Sequence, residues 1–212
     1  TEDLSRRLDR GEFELMGIQG TEIDISPNDG TSSYGEIVVL AESPLDPQVL
    51  WVGTDDGNLQ VSRDGSRTWS ERSSNVPGVR DGTYVSRIVA SRSGPGVAYA
   101  AFDAHRDGDF EPYFFRTTDF GETWMSLTAG LPSGSINSMV EHPENPNLLF
   151  VGTEHGLFVS TSTGTDWARL FHLPTTHIDD LVLHPREKDL VIGTHGQSIW
   201  ILDDTRPLAE WT

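Results

Sequence analysis

The chain has no cysteine among its 212 residues, which excludes a disulfide scaffold, thiolate catalysis and cysteine-ligated metal centres. That lack leaves the compartment open. Basic charge is scarce: 15 Lys and Arg stand against 33 Asp and Glu, the formal net charge is −18, and Lys188 is the only lysine. A field of that sign repels phosphate, so nucleic acid is excluded as a partner and docking on anionic membranes is disfavoured. Long apolar runs are missing too. None approaches the ~18 residues of a membrane span, and no signal peptide is present. Sustained 3.6-residue periodicity is also missing, which argues against a helical solenoid. The acidity fits either adaptation to high salt or a genome that favours Arg over Lys. The chain opens on Thr1 rather than Met, as expected of a processed product or an excised piece.

What is present is repetition. Leu50-Trp51-Val52-Gly53-Thr54-Asp55-Asp56-Gly57 precedes Leu59-Gln60-Val61-Ser62. Leu149-Phe150-Val151-Gly152-Thr153-Glu154-His155-Gly156 precedes Leu157-Phe158-Val159-Ser160, and Leu190-Val191-Ile192-Gly193-Thr194-His195-Gly196 precedes Ile199-Trp200-Ile201-Leu202. A divergent copy runs from Val97 to Asp103, then, after a longer loop, from Tyr113 to Arg116. Short β-branched and aromatic runs between Gly, Asp and Pro punctuation are strand–turn chemistry. A further apolar run precedes each pair, and a short strand follows it at Trp69, Trp124 or Trp167. Four antiparallel strands per ~40–45 residues predict an all-β fold, a β-propeller of four-stranded blades. The expected blades cover about 33–73, 84–128, 136–172 and 177–212. Residues 1–32 read as a connector with at most a short strand at Glu12 to Met16. Four blades fit part of a larger propeller better than a small closed ring.

Between the third and fourth strands lies a recurrent turn motif, [ST]-x-D-x-G-x-T-W. It is complete in Thr117-Thr118-Asp119-Phe120-Gly121-Glu122-Thr123-Trp124. In the segment Ser62 to Trp69, with Asp64 and Thr68, serine replaces the second-half glycine. In Ser160 to Trp167 the aspartate is gone. The Asp can accept backbone N–H bonds across a hairpin while Gly takes positive φ. The Thr adds a bond and the Trp anchors the turn between sheets. This carboxylate is therefore expected to be structural.

With these residues in view, the chain resembles the BNR/Asp-box superfamily, which includes sialidases, xyloglucanase-type hydrolases and sortilin-type receptors. The nearest likeness is to bacterial and archaeal sortilin-like (VPS10-type) proteins of WD40/YVTN/BNR-like repeats. It is carried by Val52 to Gly57, Tyr84-Val85-Ser86-Arg87-Ile88, Thr117 to Trp124, and Gly193 to Asp204 with Pro207-Leu208. The resemblance implies an extracellular or periplasmic module whose second-to-third-strand loops and inter-blade loops share one face, opposite the Asp-boxes.

On that face the ligand-binding candidates are Asp55, Asp56, Arg87, His105, Glu154, His155, His177, His195 and Gln197, flanked by Asn58, Arg80, Tyr84 and Arg106. They suit a protein, a peptide or a glycan, and equally suit solvated turns. Xyloglucanase-type propellers carry a catalytic aspartate in the kind of loop that holds Asp55. An inverting glycoside hydrolase would need a second carboxyl ~6.5–9.5 Å away, from Asp103 or Glu154. A sialidase needs an arginine triad that Arg87 alone cannot supply. No cofactor is required, but Asp103, Asp107, Asp109 and Glu111 offer hard oxygen ligands for Ca²⁺. His142 and His184, beside prolines on the opposite face, are expected to be structural. The functional expectation is a non-catalytic binding module, with glycoside hydrolysis as the alternative. Remaining blades, or a second copy of the chain, are expected to cover its apolar ends.

Overall fold

The computed structural model describes residues 3–7, 14–15, 18–19, 22, 35–170 and 173–210. Strands β1 (Glu14–Leu15) and β2 (Ile18–Gln19) pair with each other in an antiparallel hairpin. Blade I holds β3 (Ile37–Glu42), β4 (Leu50–Thr54), β5 (Leu59–Ser62) and β6 (Ser70–Glu71). Blade II holds β7 (Tyr84–Ala90), β8 (Ala98–Asp103), β9 (Tyr113–Thr117) and β10 (Met125–Ser126). Blade III holds β11 (Ile136–Glu141), β12 (Leu149–Thr153), β13 (Gly156–Ser160) and β14 (Ala168–Arg169). Among the described residues, blade IV holds β15 (Ile178–Leu183), β16 (Leu190–Thr194) and β17 (Ile199–Leu202). The fold is a β-propeller array of antiparallel sheets.

The cores lie between blades, not within them. Short continuous apolar runs such as Leu149 to Val151 bury both faces of their strand. At the I/II junction Trp51, Leu59 and Val61 meet Val85, Ile88, Phe115 and Trp124. Tyr99 and Phe114 meet Ile136, Met139 and Val151 at II/III. Phe150 and Leu157 meet Ile178, Leu181 and Ile192 at III/IV. Full burial of one such side chain contributes ~1.5–3 kcal/mol, so these junctions supply the main cohesion. Arg87 of blade II reaches past blade III to Asp180 of blade IV at 3.2 Å, so the innermost strands curl around a common axis.

The Asp-boxes do local work. Asp64 accepts from Ser62 Oγ, the Arg67 and Thr68 backbone N–H groups, and Thr68 Oγ1 at 2.7–3.0 Å. Asp119 accepts from Thr117 Oγ1, Thr123 N–H and Thr123 Oγ1 at 2.6–2.9 Å. In the third box Ser162 stands in for the aspartate and accepts from the Asp166 N–H at 3.1 Å. Each box places two successive residues at positive φ: Gly65 and Ser66, Phe120 and Gly121, Thr163 and Gly164. The first of each pair donates its N–H to the blade's first hairpin, at Gln48, Gly96 or Asn147, over 2.9–3.0 Å.

One expectation is corrected. Blade IV is three-stranded among the described residues, because its box opens into a helix. Thr205 makes the equivalent bond to the Lys188 carbonyl at 2.9 Å, yet helix α1 (Arg206–Ala209) follows where a fourth strand was expected. Its Leu208 and Ala209 pack against the III/IV core, and the Ala209 carbonyl accepts from Asn145 Nδ2 at 2.7 Å. The described part of the short strand expected at Glu12 to Met16, Glu14–Leu15, pairs with β2; the rest lies outside the described residues. The connector also begins with a strap. The Leu4 carbonyl accepts from Asn58 Nδ2 (2.6 Å) and Gln60 Nε2 (2.8 Å), and the Arg6 N–H donates to Asp56 (2.7 Å).

Candidate functional site

Every innermost strand carries a β-bulge at the same place. The register slips between Ile37 and Val39, Val85 and Arg87, Ile136 and Ser138, and Ile178 and Asp180. The extra residues are Val38, Ser86, Asn137 and Asp179. A bulge frees one residue from the ladder and re-aims its side chain, and bulges gather beside binding sites for that reason.

In blades II to IV the bulged residues are polar and their contacts run from blade to blade. Ser86 Oγ donates to the Ile136 carbonyl at 3.0 Å. The Asn137 amide meets His177 Nε2. The His177 and His195 rings stack with centroids 5.9 Å apart and an interplanar angle of 26°. Asp179 lies 3.6 Å from His177 and 3.5 Å from His195, against both imidazoles.

Beside this row opens a groove of ≈ 270 Å³ lined by Tyr84, Ser86, Asp103, His105, Arg106 and Asn137. The Arg106 guanidinium lies 5.9 Å from the Tyr84 ring centroid. Burial raises the Tyr84 pKa, so its hydroxyl stays protonated. Burial also pushes Asp103 upward, but hydrogen bonds from Ser135 and His105 outweigh it, and its pKa is lowered. Asp103 is thus an ionised acceptor, held by Ser135 Oγ at 2.6 Å and by the His105 ring and N–H at 2.6–3.0 Å.

The three carboxylates singled out for hydrolysis occupy one equivalent position in blades I to III, just past the second strand or at its last residue. All three anchor the segment leading into an innermost strand. Asp55 Oδ1 accepts the Gly35 and Glu36 N–H groups, both at 2.7 Å, and is nearly buried. Asp103 holds Ser135 Oγ, and Glu154 accepts the Ser135 N–H at 3.3 Å. Asp56 is fully buried beneath the strap and accepts from Thr54 Oγ1.

The proposed Ca²⁺ ligands are not brought together. Asp107 pairs with Arg80, Asp109 accepts from the Tyr113 hydroxyl at 2.7 Å, and Asp103 is engaged as above. Among the described residues no three His, Asp or Glu side chains converge as a metal site. His155 and Gln197 sit exposed on loop tips, and the Gln197 carbonyl accepts from Trp200 Nε1 at 2.8 Å. Arg87 is tied to Asp180 on the inner edge. His142 is buried, and it and His184 each accept a turn N–H through Nδ1, at 3.3 and 3.1 Å.

No family model matches the chain. A probable oligoxyloglucan-reducing end-specific xyloglucanase of Neosartorya fischeri is 28% identical over 131 residues. The match covers 59% of this chain and 14% of that protein, so the chain spans about a seventh of its curated relative. Among solved structures, the GH74 enzyme of Niastella koreensis superposes with a TM-score of 0.63 at 15% identity, over 85% of this chain and 30% of that one. YCF48 bound to D1 peptide superposes at 0.58 and 17% identity, over 80% of this chain and 50% of that one. These likenesses establish the propeller fold.

Ser86, Asn137 and Asp179 escaped the sequence reading, which looked for site residues in loops. Their signal was present. Each is a polar residue just inside an apolar strand, directly after Val85, Ile136 or Ile178. That break in strand alternation marks a bulge.

Proposed function

We propose that this chain is a non-catalytic glycan-binding module of a larger propeller protein, using the groove beside the bulge row. The observation that carries this reading is the succession of three bulges that bring Ser86, Asn137 and Asp179 into one polar strip beside Tyr84. Hydroxyl, amide, imidazole and carboxylate groups next to an aromatic face match the alternating polar and apolar surface of a neutral sugar. The likeness to xyloglucanases supports a β-glucan-type ligand, and the sortilin-like resemblance supports a receptor-type role outside the cytoplasm. No helix among the described residues is long and apolar enough to cross a membrane.

Hydrolysis is the second reading, favoured by the same relatives. It is weakened by the burial of Asp55 and the engagement of its Oδ1 with two backbone N–H groups, which leave the carboxyl little access to a sugar. Titration calorimetry with xyloglucan oligosaccharides separates the two. Binding should weaken at least tenfold in Asn137→Ala and in Tyr84→Ala, and no reducing ends should appear on incubation. Reducing ends that vanish in Asp55→Asn would replace this reading with the hydrolase.

A further inference from the structure

Blade II departs from the other blades in one loop, and that loop forms a wall of the groove. Residues 104–112 join β8 to β9, where 55–58, 154–155 and 195–198 suffice elsewhere. The longer loop opens with a single 3-10 turn, His105–Asp107, closed by Gly108 at φ 75°. Both sides of that turn are tied down. Asp103 holds His105 by its ring and its N–H, and Asp107 pairs with Arg80 from the segment between β6 and β7. Arg106 sits between these two anchors and lines the groove. Its guanidinium makes no ion pair or hydrogen bond among the described residues; its one contact is the Tyr84 ring.

That isolation is local and specific. The chain carries a net charge of −18, so carboxylates are plentiful, and the neighbouring arginines have found theirs. Arg80 is paired with Asp107 and Arg87 with Asp180. The acids nearest Tyr84 are already engaged. Asp103 accepts from Ser135 and His105, and Asp55 from the Gly35 and Glu36 N–H groups. A guanidinium has five donors and no acceptor, and here none of the five has a protein partner. The Tyr84 ring, 5.9 Å from the guanidinium, attracts the cation and steadies it on the groove wall. The protonated Tyr84 hydroxyl lines the same groove as a further donor.

We propose that Arg106 is an acid-reading subsite, so that the glycan taken by the groove carries a uronic acid unit. Its carboxylate meets the Arg106 guanidinium with the Tyr84 hydroxyl beside it, while the bulge row takes neutral hydroxyls. This rests on the glycan-binding reading and narrows its ligand class. A planar carboxylate accepts two parallel N–H bonds from one guanidinium, which a neutral sugar cannot do. The field of the whole chain opposes any anion. A preference for a charged glycan must therefore come from the groove itself.

Titration calorimetry at pH 7 tests this with two glycans of equal length, cellotetraose and its counterpart oxidised at C6 to glucuronic acid units. At 0.1 M NaCl the oxidised glycan should bind about tenfold more tightly or better, as a bidentate charged pair provides. The margin should shrink at 1 M, where the Debye length falls from ~10 to ~3 Å. Arg106→Gln should remove the margin and leave cellotetraose affinity within about twofold, because only the charged contact is lost. Arg106→Lys should restore part of it. Arg106 is exposed, so circular dichroism should report an unchanged fold in both variants. Arg67→Gln removes the same charge from an exposed arginine in the first Asp-box and should keep the margin. Equal affinity for the two glycans, or a margin that survives Arg106→Gln, overturns the inference and leaves the glycan-binding reading standing. A margin that falls as far in Arg67→Gln reduces it to bulk charge and overturns it too. If neither glycan binds, the reading and the inference fall together.

Discussion

Trp51 of β4 and Trp124 at the end of the second Asp-box meet edge to face, with ring centroids 6.0 Å apart and planes at 72°. A turn in one blade thereby clamps a strand in the blade before it. Trp167 does the same one blade later, tilted against Phe114 at 6.1 Å, with its Nε1 donating to the Leu127 carbonyl at 2.7 Å. Truncation of a buried aromatic leaves a cavity worth ~3–5 kcal/mol. Trp124→Ala should therefore lower the stability measured by urea unfolding by an amount in that range. A loss below about 1 kcal/mol would mean that the I/II junction does not depend on the wedge.

Acid should loosen the boxes. Side-chain and backbone hydrogen bonds from Thr68 hold Asp64 at about 2, against 3.8 for an ordinary Asp, and the Thr123 hydroxyl lowers Asp119 in the same direction. A depressed carboxylate stabilises the fold above its unfolded pKa, and that contribution is lost as pH falls through its folded value. The window for Asp64 thus runs from about pH 4 down to about 2. Calorimetric melting from pH 6 to 2 should show a steep acid limb in the wild type and a flatter one in Asp64→Asn/Asp119→Asn. At neutral pH, Asp119→Ala alone should cost about 1 kcal/mol, since its bonds are partly solvated. An acid limb equally steep in the double variant would contradict the capping role.

Gly152 and Gly193 are equivalent in sequence and opposite in surroundings. Gly152→Ala drives a methyl group into Ser138 of its own blade and Ile178 of the next and should cost ~1–3 kcal/mol as an overpacked core does. Gly193→Ala, whose methyl group would meet nothing closer than the Asp180 carbonyl at 3.6 Å, should change thermal stability little. Equal losses at the two sites would mean that crowding is not what separates them.

The acidic surface predicts a response to salt. At −18, self-repulsion should relax as the Debye length shrinks from ~10 Å at 0.1 M to ~3 Å at 1 M. Melting temperature should rise between those concentrations. A flat or falling curve would reduce the acidity to compositional bias.

The blades were legible in the sequence because each repeats the same physical demands. Apolar runs such as Leu149 to Val151 must be buried on both faces, and an Asp or Ser must cap the same turn. The limits came where one side chain did another's task or where a partner was distant. Ser162 replaces the box aspartate with a hydroxyl that accepts the same N–H. The box of blade IV, at Asp204 and Thr205, lost its opening hydroxyl to Leu202 and dissolved into helix α1. Asp55, Asp103 and Glu154 looked like exposed loop acids, yet their partners Gly35, Glu36 and Ser135 lie 19 to 32 residues away in sequence. No local pattern reveals such pairings.

The tie between each box and the first hairpin of its own blade has a consequence for synthesis. Gly65 reaches back to Gln48, Phe120 to Gly96, Thr163 to Asn147 and Thr205 to Lys188, all over short stretches of chain. Loop-closure entropy grows only slowly with length, and local closures keep contact order low in a fold class that usually folds slowly. Each sheet can therefore form on the ribosome as soon as its own box has emerged. It then waits, with one apolar face bare, for the next sheet to be made.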